Sequence, residues 1–332
     1  MAFCLSFIAS TAYSAGGRDA AVQPHYKKHY SMGTVFEIVA YDAPSVPIED
    51  AMRKAFEEID RLDREMSNYK PDSELSRLNS TAHFRAESVS KDLYQVVQQS
   101  LRYSELSGGA FDISVGPLAN RWKAVGQGEP APLPSEVEKL RRCVGYRMIH
   151  LVPPNKIEFH SACMELDLGA IGKGYAVDQA VAVLRSNGVE RALLNAGGSS
   201  IYAMGSPPGM PGWTVHLRDP SGRLTPRILL RDNSVSTSEQ TAPSLLGKVS
   251  FGHIINPATG WPVKSTFAVS AVAETATASD GLSTTLFLLG PSNGKDLVEK
   301  LPNVAAIWIS PEGQFERVST GPSIAISPTS ER

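Results

Sequence analysis

The chain has 332 residues, of which 42% are apolar and 20% charged, with a formal net charge of −2. Such a composition buries a large core rather than staying disordered, and its length fits one elaborated α/β domain or two closely packed lobes. The near-neutral balance argues against nucleic acid as a partner, because neutralising phosphates takes a basic surplus, and no internal apolar run reaches the roughly 18 residues of a membrane-spanning helix.

The first residues differ from the rest. Phe3 to Ala15 is apolar and small, without charge until Arg18, and Ala12-Tyr13-Ser14 offers the small residues of a cleavage site. Residues 1–20 are expected to be an export signal, although no Lys or Arg precedes the apolar run. The other reading is a poorly ordered tail on a cytoplasmic protein. Export would place the mature chain in the periplasm. Cys143 and Cys163 would survive cleavage; two thiols are too few for a disulfide framework, and the sequence leaves open whether they pair.

Further along, Val35 to Val39 reads as a strand. Pro47 then opens a helix whose apolar positions Ile48, Met52, Phe56, Ile59 and Leu62 recur at three and four residues, with Glu49 and Asp50 in its first turn. A second helix runs from about Ser90 and stops at Gly108-Gly109, and a third runs from about Lys173 to Gly188. Strands are expected over Leu193-Leu194, Trp213 to Leu217, Ile228 to Leu230, Phe267 to Val272 and Ala305 to Ile309, with a last helix after Asp280. The Pro- and Gly-rich stretches 126–134 and 205–212 read as surface excursions from one domain.

Four segments are richer in Gly, Asp, Thr and Asn than packing requires. Gly108-Gly109-Ala110-Phe111-Asp112 follows a helix; its glycines allow close backbone approach to a ligand and Asp112 can accept from a flat heterocycle, but a helix end with a turn Asp is equally well described. Leu166 to Ala176 places Asp167, three glycines and Lys173 where a loop becomes a helix, a natural anion site that matches neither a Walker A loop nor a dinucleotide fingerprint. His253 to Gly260 combines a proton-accepting candidate, His253, with the turn chemistry of Asn256-Pro257 and Thr259-Gly260. In Ala278 to Leu286, Asp280 and Thr284 lie four apart and share a helix face, an oxygen pair suited to Mg²⁺, unless Asp280 simply caps the helix.

In this order the segments resemble the FAD:protein FMN transferase family, also called ApbE. The likeness starts at Met32-Gly33-Thr34, continues through Pro71 to Asn79, Gly109 to Asp112, Gly116-Pro117-Leu118, Leu166 to Tyr175 and Asn195 to Gly198, and ends with His253 to Gly260 and Asp280 to Thr284. The resemblance implies an α/β (α+β) fold of mixed, largely antiparallel sheets packed with helices, ApbE-like and T-fold-like, forming a single elaborated domain over 29–325. It implies FAD contacts at Met32, Tyr69, Ala110, Phe111, Asp112, Asp167, Lys173 and Ile255. Mg²⁺ ligation falls to the Ala170 carbonyl, Asp280 and Thr284, and His253 becomes the base that activates an acceptor hydroxyl. The implied reaction transfers FMN from FAD to a Thr or Ser of an acceptor redox protein carrying a Thr-containing motif, with release of AMP. Peripheral association with the inner membrane would suit exported or membrane-bound acceptors. Asn256, Ser199 and Ser279 depart from the residues common in the family without removing a metal ligand or the histidine. Two alternatives share parts of the pattern: an FAD-binding or Mg²⁺-dependent FAD-hydrolysing protein, and an exported solute-binding protein.

Overall fold

The computed structural model describes residues 23–41, 43, 45–218, 224–240, 252–321 and 326–327, so the expected export signal lies outside the described residues. The chain enters through a hairpin, β1 (Pro24–Ser31) and β2 (Thr34–Tyr41), joined by Met32-Gly33. Both turn residues have positive φ, 49° at Met32 and 74° at Gly33, as a two-residue hairpin loop of this twist requires. A methionine there occupies backbone space that side chains seldom adopt.

Helix α1 (Ile48–Met66) buries the Ile48, Met52, Phe56, Ile59 and Leu62 face that its periodicity predicts. It is followed by α2 (Glu74–Thr81), β3 (Glu87–Ser88), α3 (Lys91–Leu106), α4 (Gly116–Gly126) and α5 (Pro134–Arg141). Next come β4 (Ile149–Val152), β5 (Lys156–Phe159), α6 (Gly172–Ser186), β6 (Ala192–Ala196), β7 (Ser200–Met204), β8 (Trp213–Arg218), β9 (Leu224–Leu230) and β10 (Asn233–Glu239). The remaining elements are β11 (Ala268–Ala273), α7 (Ala276–Val298), β12 (Ala305–Ile309), β13 (Phe315–Ser319) and β14 (Ile326–Ser327). Hydroxyl caps start three helices, two of them in this stretch: Ser73 Oγ accepts from Ser76 N at 3.0 Å for α2, and Ser90 Oγ accepts from Leu93 N at 3.2 Å for α3.

Eight strands make the main sheet in the order β1-β2-β6-β7-β10-β11-β12-β13, every neighbouring pair antiparallel. Alternation along its strands divides the core. Leu194 and Tyr202 join Phe36, Ile38 and the apolar faces of α1 and α6 on one side, whereas Leu193, Ile201 and Ala203 pack on the other against Trp213, Val215, Ile228 and Leu230 of the β14-β9-β8 sheet. Helix α7 covers the β10–β12 region through Leu282, Leu286 and Phe287, and bends at Gly290-Pro291. A third sheet, β3-β5-β4, is also antiparallel. The fold is mixed α/β with antiparallel sheets, as expected.

Two expectations need correction. The last helix does not follow Asp280 but starts at Ala276, capped by Thr275 Oγ1, which accepts from Ala278 N at 3.1 Å. Asp280 therefore stands in the second turn and does not cap its own helix. Strand β10 was not expected, because its inward positions Ser234, Ser236 and Ser238 are hydroxyls that meet a polar stripe of α7 instead of an apolar core.

Cys143 and Cys163 are paired, closing a loop with a sequence separation of 20. The bond ties the end of α5 to the segment leading into Asp167. Opening a loop of this length releases denatured-state entropy worth about 3 kcal/mol. Replacing both cysteines by serine should therefore lower unfolding stability by about 3 kcal/mol in denaturant titrations, and a reductant should do the same to the wild type. An unchanged midpoint in both experiments would mean that the bond does not form.

Candidate active site

The centre of the molecule is the place where α6 and α7 begin. Helix α6 has Ile171 at its cap position and no side-chain cap from its own neighbours. The N–H of Gly174 instead donates to Asp280 Oδ2 of α7 at 2.8 Å. In return Asp178 of α6 accepts from the first turn of α7, from Ala276 N at 2.7 Å, Thr277 N at 2.8 Å and Thr277 Oγ1 at 2.5 Å. Each helix start thus receives the other helix's carboxylate, favoured by its unpaired N–H groups and its dipole. The approach depends on Gly174: a β-carbon there would lie 2.3 Å from the Ala276 carbonyl oxygen and 2.7 Å from Asp280 Cβ.

This exchange leaves oxygens available. In a continued helix Gly174 N would bond to the Ala170 carbonyl, four residues back. With that donor turned to Asp280, Ala170 O accepts no hydrogen bond among the described residues. Asp280 is only 5% exposed. Burial pushes its carboxyl pKa up, opposed by the Lys173 charge, the Gly174 N–H and the Ser200 hydroxyl. Ser200 Oγ is itself buried without a well-formed hydrogen bond, so its hold on Asp280 is weak and much of the carboxylate's capacity of about four acceptor positions stays open. One turn further along α7, Thr284 Oγ1 lies 3.2 Å from Ser238 Oγ, which also meets Ser283 Oγ at 2.9 Å. Ser279 Oγ similarly meets Ser234 Oγ at 2.8 Å and Ser236 Oγ at 2.7 Å, so a seam of hydroxyls registers α7 on β10. Among the described residues no cluster of three or more His, Cys, Asp or Glu is gathered.

Lys173 links this centre to His253. Its Nζ donates to Gly169 O at 3.2 Å, and its charge acts on both Asp280 and His253. His253 is exposed to solvent, yet enough protein surrounds it that desolvation, helped by Lys173, lowers its pKa. The shift is opposite to the one a neighbouring carboxylate would cause. Beyond His253 the chain forms a tight turn: Asn256 Oδ1 accepts from Ala258 N at 2.9 Å and Thr259 N at 3.2 Å, and Trp122 Nε1 donates to Gly260 O at 2.8 Å. Ile255 is 6% exposed and packs with Leu118, Trp122, Val125 and Val137. Its side chain belongs to a small core, which leaves its backbone for any ligand contact.

The remaining expected residues lie on segments fastened to one another. Asp112 Oδ1 accepts from Ser114 N at 2.9 Å and Ser114 Oγ at 2.6 Å, while Oδ2 accepts from Tyr146 N at 2.8 Å. Burial raises its carboxyl pKa against these bonds. Phe111 is 1% exposed and meets Tyr103 edge-on at 5.9 Å, whereas Ala110 beside it is half-buried. Asp167 N donates to Ile113 O at 2.7 Å, and Asp167 Oδ1 accepts from Gly169 N at 2.7 Å. Asn79 holds the same segment with its amide, donating to Leu166 O at 3.0 Å and accepting from Leu166 N at 2.8 Å. Tyr69 is 74% exposed, with Lys123 Nζ 3.5 Å from its ring centre, and Asp167 is near enough for its charge to act on the phenol. Met32 reaches the start of α6, where its Cε would be 4.0 Å from a β-carbon at Gly172.

Sequence reasoning did not single out Asp178, Asn79 or Ser238. Asp178 had one signal, an acidic residue amid the buried positions Tyr175, Ala176, Val177, Ala180 and Val181. Asn79 closes the Pro71–Asn79 stretch of the family resemblance, without a role attached to it, and Ser238 carried no signal beyond its place in a polar stretch.

The whole described chain has known relatives. The sequence profile of the ApbE family matches residues 32–308. The FAD:protein FMN transferase of Treponema pallidum (strain Nichols) is 31% identical over 93% of this chain and 90% of its own length. That of Escherichia coli (strain K12) is 28% identical over 95% of each. Among solved structures, the apo form of Pseudomonas stutzeri flavinyl transferase ApbE superposes with a TM-score of 0.78 at 26% identity, covering 90% of this chain and 95% of that one. With a profile match across most of its length and this degree of identity to a relative, the chain belongs to the ApbE family.

Proposed function

We propose that this chain is a periplasmic, Mg²⁺-dependent FAD:protein FMN transferase, which cuts FAD at its pyrophosphate and joins FMN through a phosphoester to a Thr or Ser hydroxyl of an acceptor redox protein. Flavin transfer to protein is supported by relatives of that name matching along nearly the full chain. The observation that carries the metal reading is the set of oxygens at the α6–α7 crossing. A carboxylate with spare acceptor capacity at Asp280, a carbonyl without a partner among the described residues at Ala170 and a hydroxyl at Thr284 form an all-oxygen set that fits a hard divalent ion. A cation there would also offset the burial that now raises the Asp280 pKa.

Bound there, Mg²⁺ would supply neutralisation of the charge on the FAD pyrophosphate as the phosphoryl group is transferred. The chain's own residues do the rest. Lys173, in the first turn of α6, adds its positive charge to the positive end of the helix dipole and so favours a phosphate. Tyr69, Asp167, Met32 and the Ala110–Asp112 segment hold the flavin nucleotide along the fastened loops. His253 takes the proton of the acceptor hydroxyl as its oxygen bonds to the FMN phosphorus, while the bond from that phosphorus to the AMP oxygen breaks and AMP leaves. Because His253 is exposed, an acceptor segment can reach it from solvent. Export is supported by the apolar leader and by the Cys143–Cys163 bond, which suits an oxidising compartment.

Asp280→Ala removes the only charged ligand of the proposed ion and should abolish FMN transfer without unfolding the chain; wild-type turnover with unchanged Mg²⁺ dependence would refute the metal assignment. Thr284→Val should act more mildly, since water can replace a neutral ligand. The His253 base must be neutral to act, and its lowered pKa keeps it neutral further into acid than a free imidazole. Single-turnover rates should therefore rise with pH through a value below about 6.5 and be flat above neutrality. His253→Ala should lose about 10²-fold and the pH dependence together, the low end for a base because a loose transition state needs little base assistance. Retention of both would make His253 a positioning side chain at most.

A further inference from the structure

We propose that Asp178 is a positioning residue for the active site: by holding the first turn of α7 it fixes Asp280 and Thr284 opposite the Ala170 carbonyl, and so sets the affinity for the divalent cation. It rests on the Mg²⁺ reading above, and concerns a residue that touches neither the ion nor the flavin in that reading.

The donor set is divided between two helices. Ala170 precedes α6, while Asp280 and Thr284 stand on α7, one and two turns beyond Ala276. Their spacing is therefore a property of the helix–helix junction. Only two side-chain ties between the helices cross it among the described residues: Asp280 Oδ2 with Gly174 N, and the Asp178 carboxylate with Ala276 N, Thr277 N and Thr277 Oγ1. The first tie uses the metal-ligating carboxylate itself. The second uses no ligand of the proposed ion, so it holds the junction whether or not the Asp280 carboxylate is engaged by a cation.

Asp178 is also more than a cap. Helix α7 already has a local cap in Thr275, whose Oγ1 takes Ala278 N at 3.1 Å. Asp178 satisfies the two preceding N–H groups from the neighbouring helix, with both carboxylate oxygens engaged, a bidentate hold that fixes direction as well as distance. The Ala276 carbonyl sits against Gly174 with no room for a β-carbon, so a shift of the α7 start transfers directly to the α6 start that leads from Ala170. A carboxylate is needed: the amide of an Asn would turn a donor toward one of two N–H groups.

The test is direct titration with Mn²⁺, which takes the same hard oxygen ligands, followed by electron paramagnetic resonance of the free ion, with thermal unfolding of each variant in the same buffer. Asp178→Asn should weaken Mn²⁺ binding about 10- to 100-fold, the usual cost of losing a residue that orients a ligand. Thr277→Val, which deletes one donor and keeps the shape, should weaken it less. In turnover, excess Mg²⁺ should restore much of the Asp178→Asn rate, a change in half-saturating metal more than in maximal rate. A variant that melts earlier yet binds Mn²⁺ as the wild type does would make Asp178 a structural cap and overturn the inference. If Asp178→Asn does not fold, Thr277→Val decides, and wild-type affinity there overturns it equally. Parallel Asp280→Ala separates the two levels: binding unchanged in that variant, or absent from the wild type, removes the metal reading and this inference with it.

Discussion

A helix start leaves N–H groups without acceptors, and in this fold two helix starts satisfy that need from each other. Asp280 of α7 serves Gly174 of α6, and Asp178 of α6 serves Ala276 and Thr277 of α7. The rest of the site follows from this exchange. It requires a glycine at 174, because a side chain there would meet the Ala276 carbonyl. It brings a carboxylate into a buried place where its charge is costly, and it turns a donor away from Ala170. Asp280 is thus a buried carboxylate whose protein partners are few for its acceptor capacity, a costly arrangement in a low-dielectric place.

Around that junction the molecule uses side chains as fasteners. The hydroxyl seam between β10 and α7 fixes the rotation of the helix that carries Asp280 and Thr284. The Asn79 amide pins Leu166, Asp112 ties its own turn to Tyr146, and the Cys143–Cys163 bond joins the same two regions covalently. These loops are anchored in the core by Phe111, Ile113, Met164, Leu166 and Leu168, and the directional bonds and one covalent link add a fixed orientation to that burial.

Much of this was legible before the structure. The three- and four-residue spacing of α1 and the glycine at the end of α6 predicted both helices, and β11 and β12 were visible as short apolar runs. The start of α7 was not, because Ala276-Thr277-Ala278 has no periodic signature and Asp280 resembles a cap; the actual cap, Thr275, lies in the preceding loop. Strand β10 escaped because alternation is normally read in apolar residues, and here the inward positions are serines. For Asp112 and Asn256 the turn reading describes their hydrogen bonds well, and any part in holding FAD would be added to that work. Asp178 was hidden because its partners lie about a hundred residues away along the chain, and no local pattern records a bond across two helices.

The fate of FMN distinguishes transfer to a protein from hydrolysis most directly. The chain should be incubated with FAD, Mg²⁺ and a peptide carrying a Thr-containing acceptor motif, with AMP, free FMN and peptide mass followed together. Transfer predicts equal amounts of AMP and flavinylated peptide, the FMN held on the Thr by a phosphoester and lost when that Thr is replaced by Val. AMP and free FMN appearing in equal amounts beside an unmodified peptide would contradict it and make the chain an FAD hydrolase.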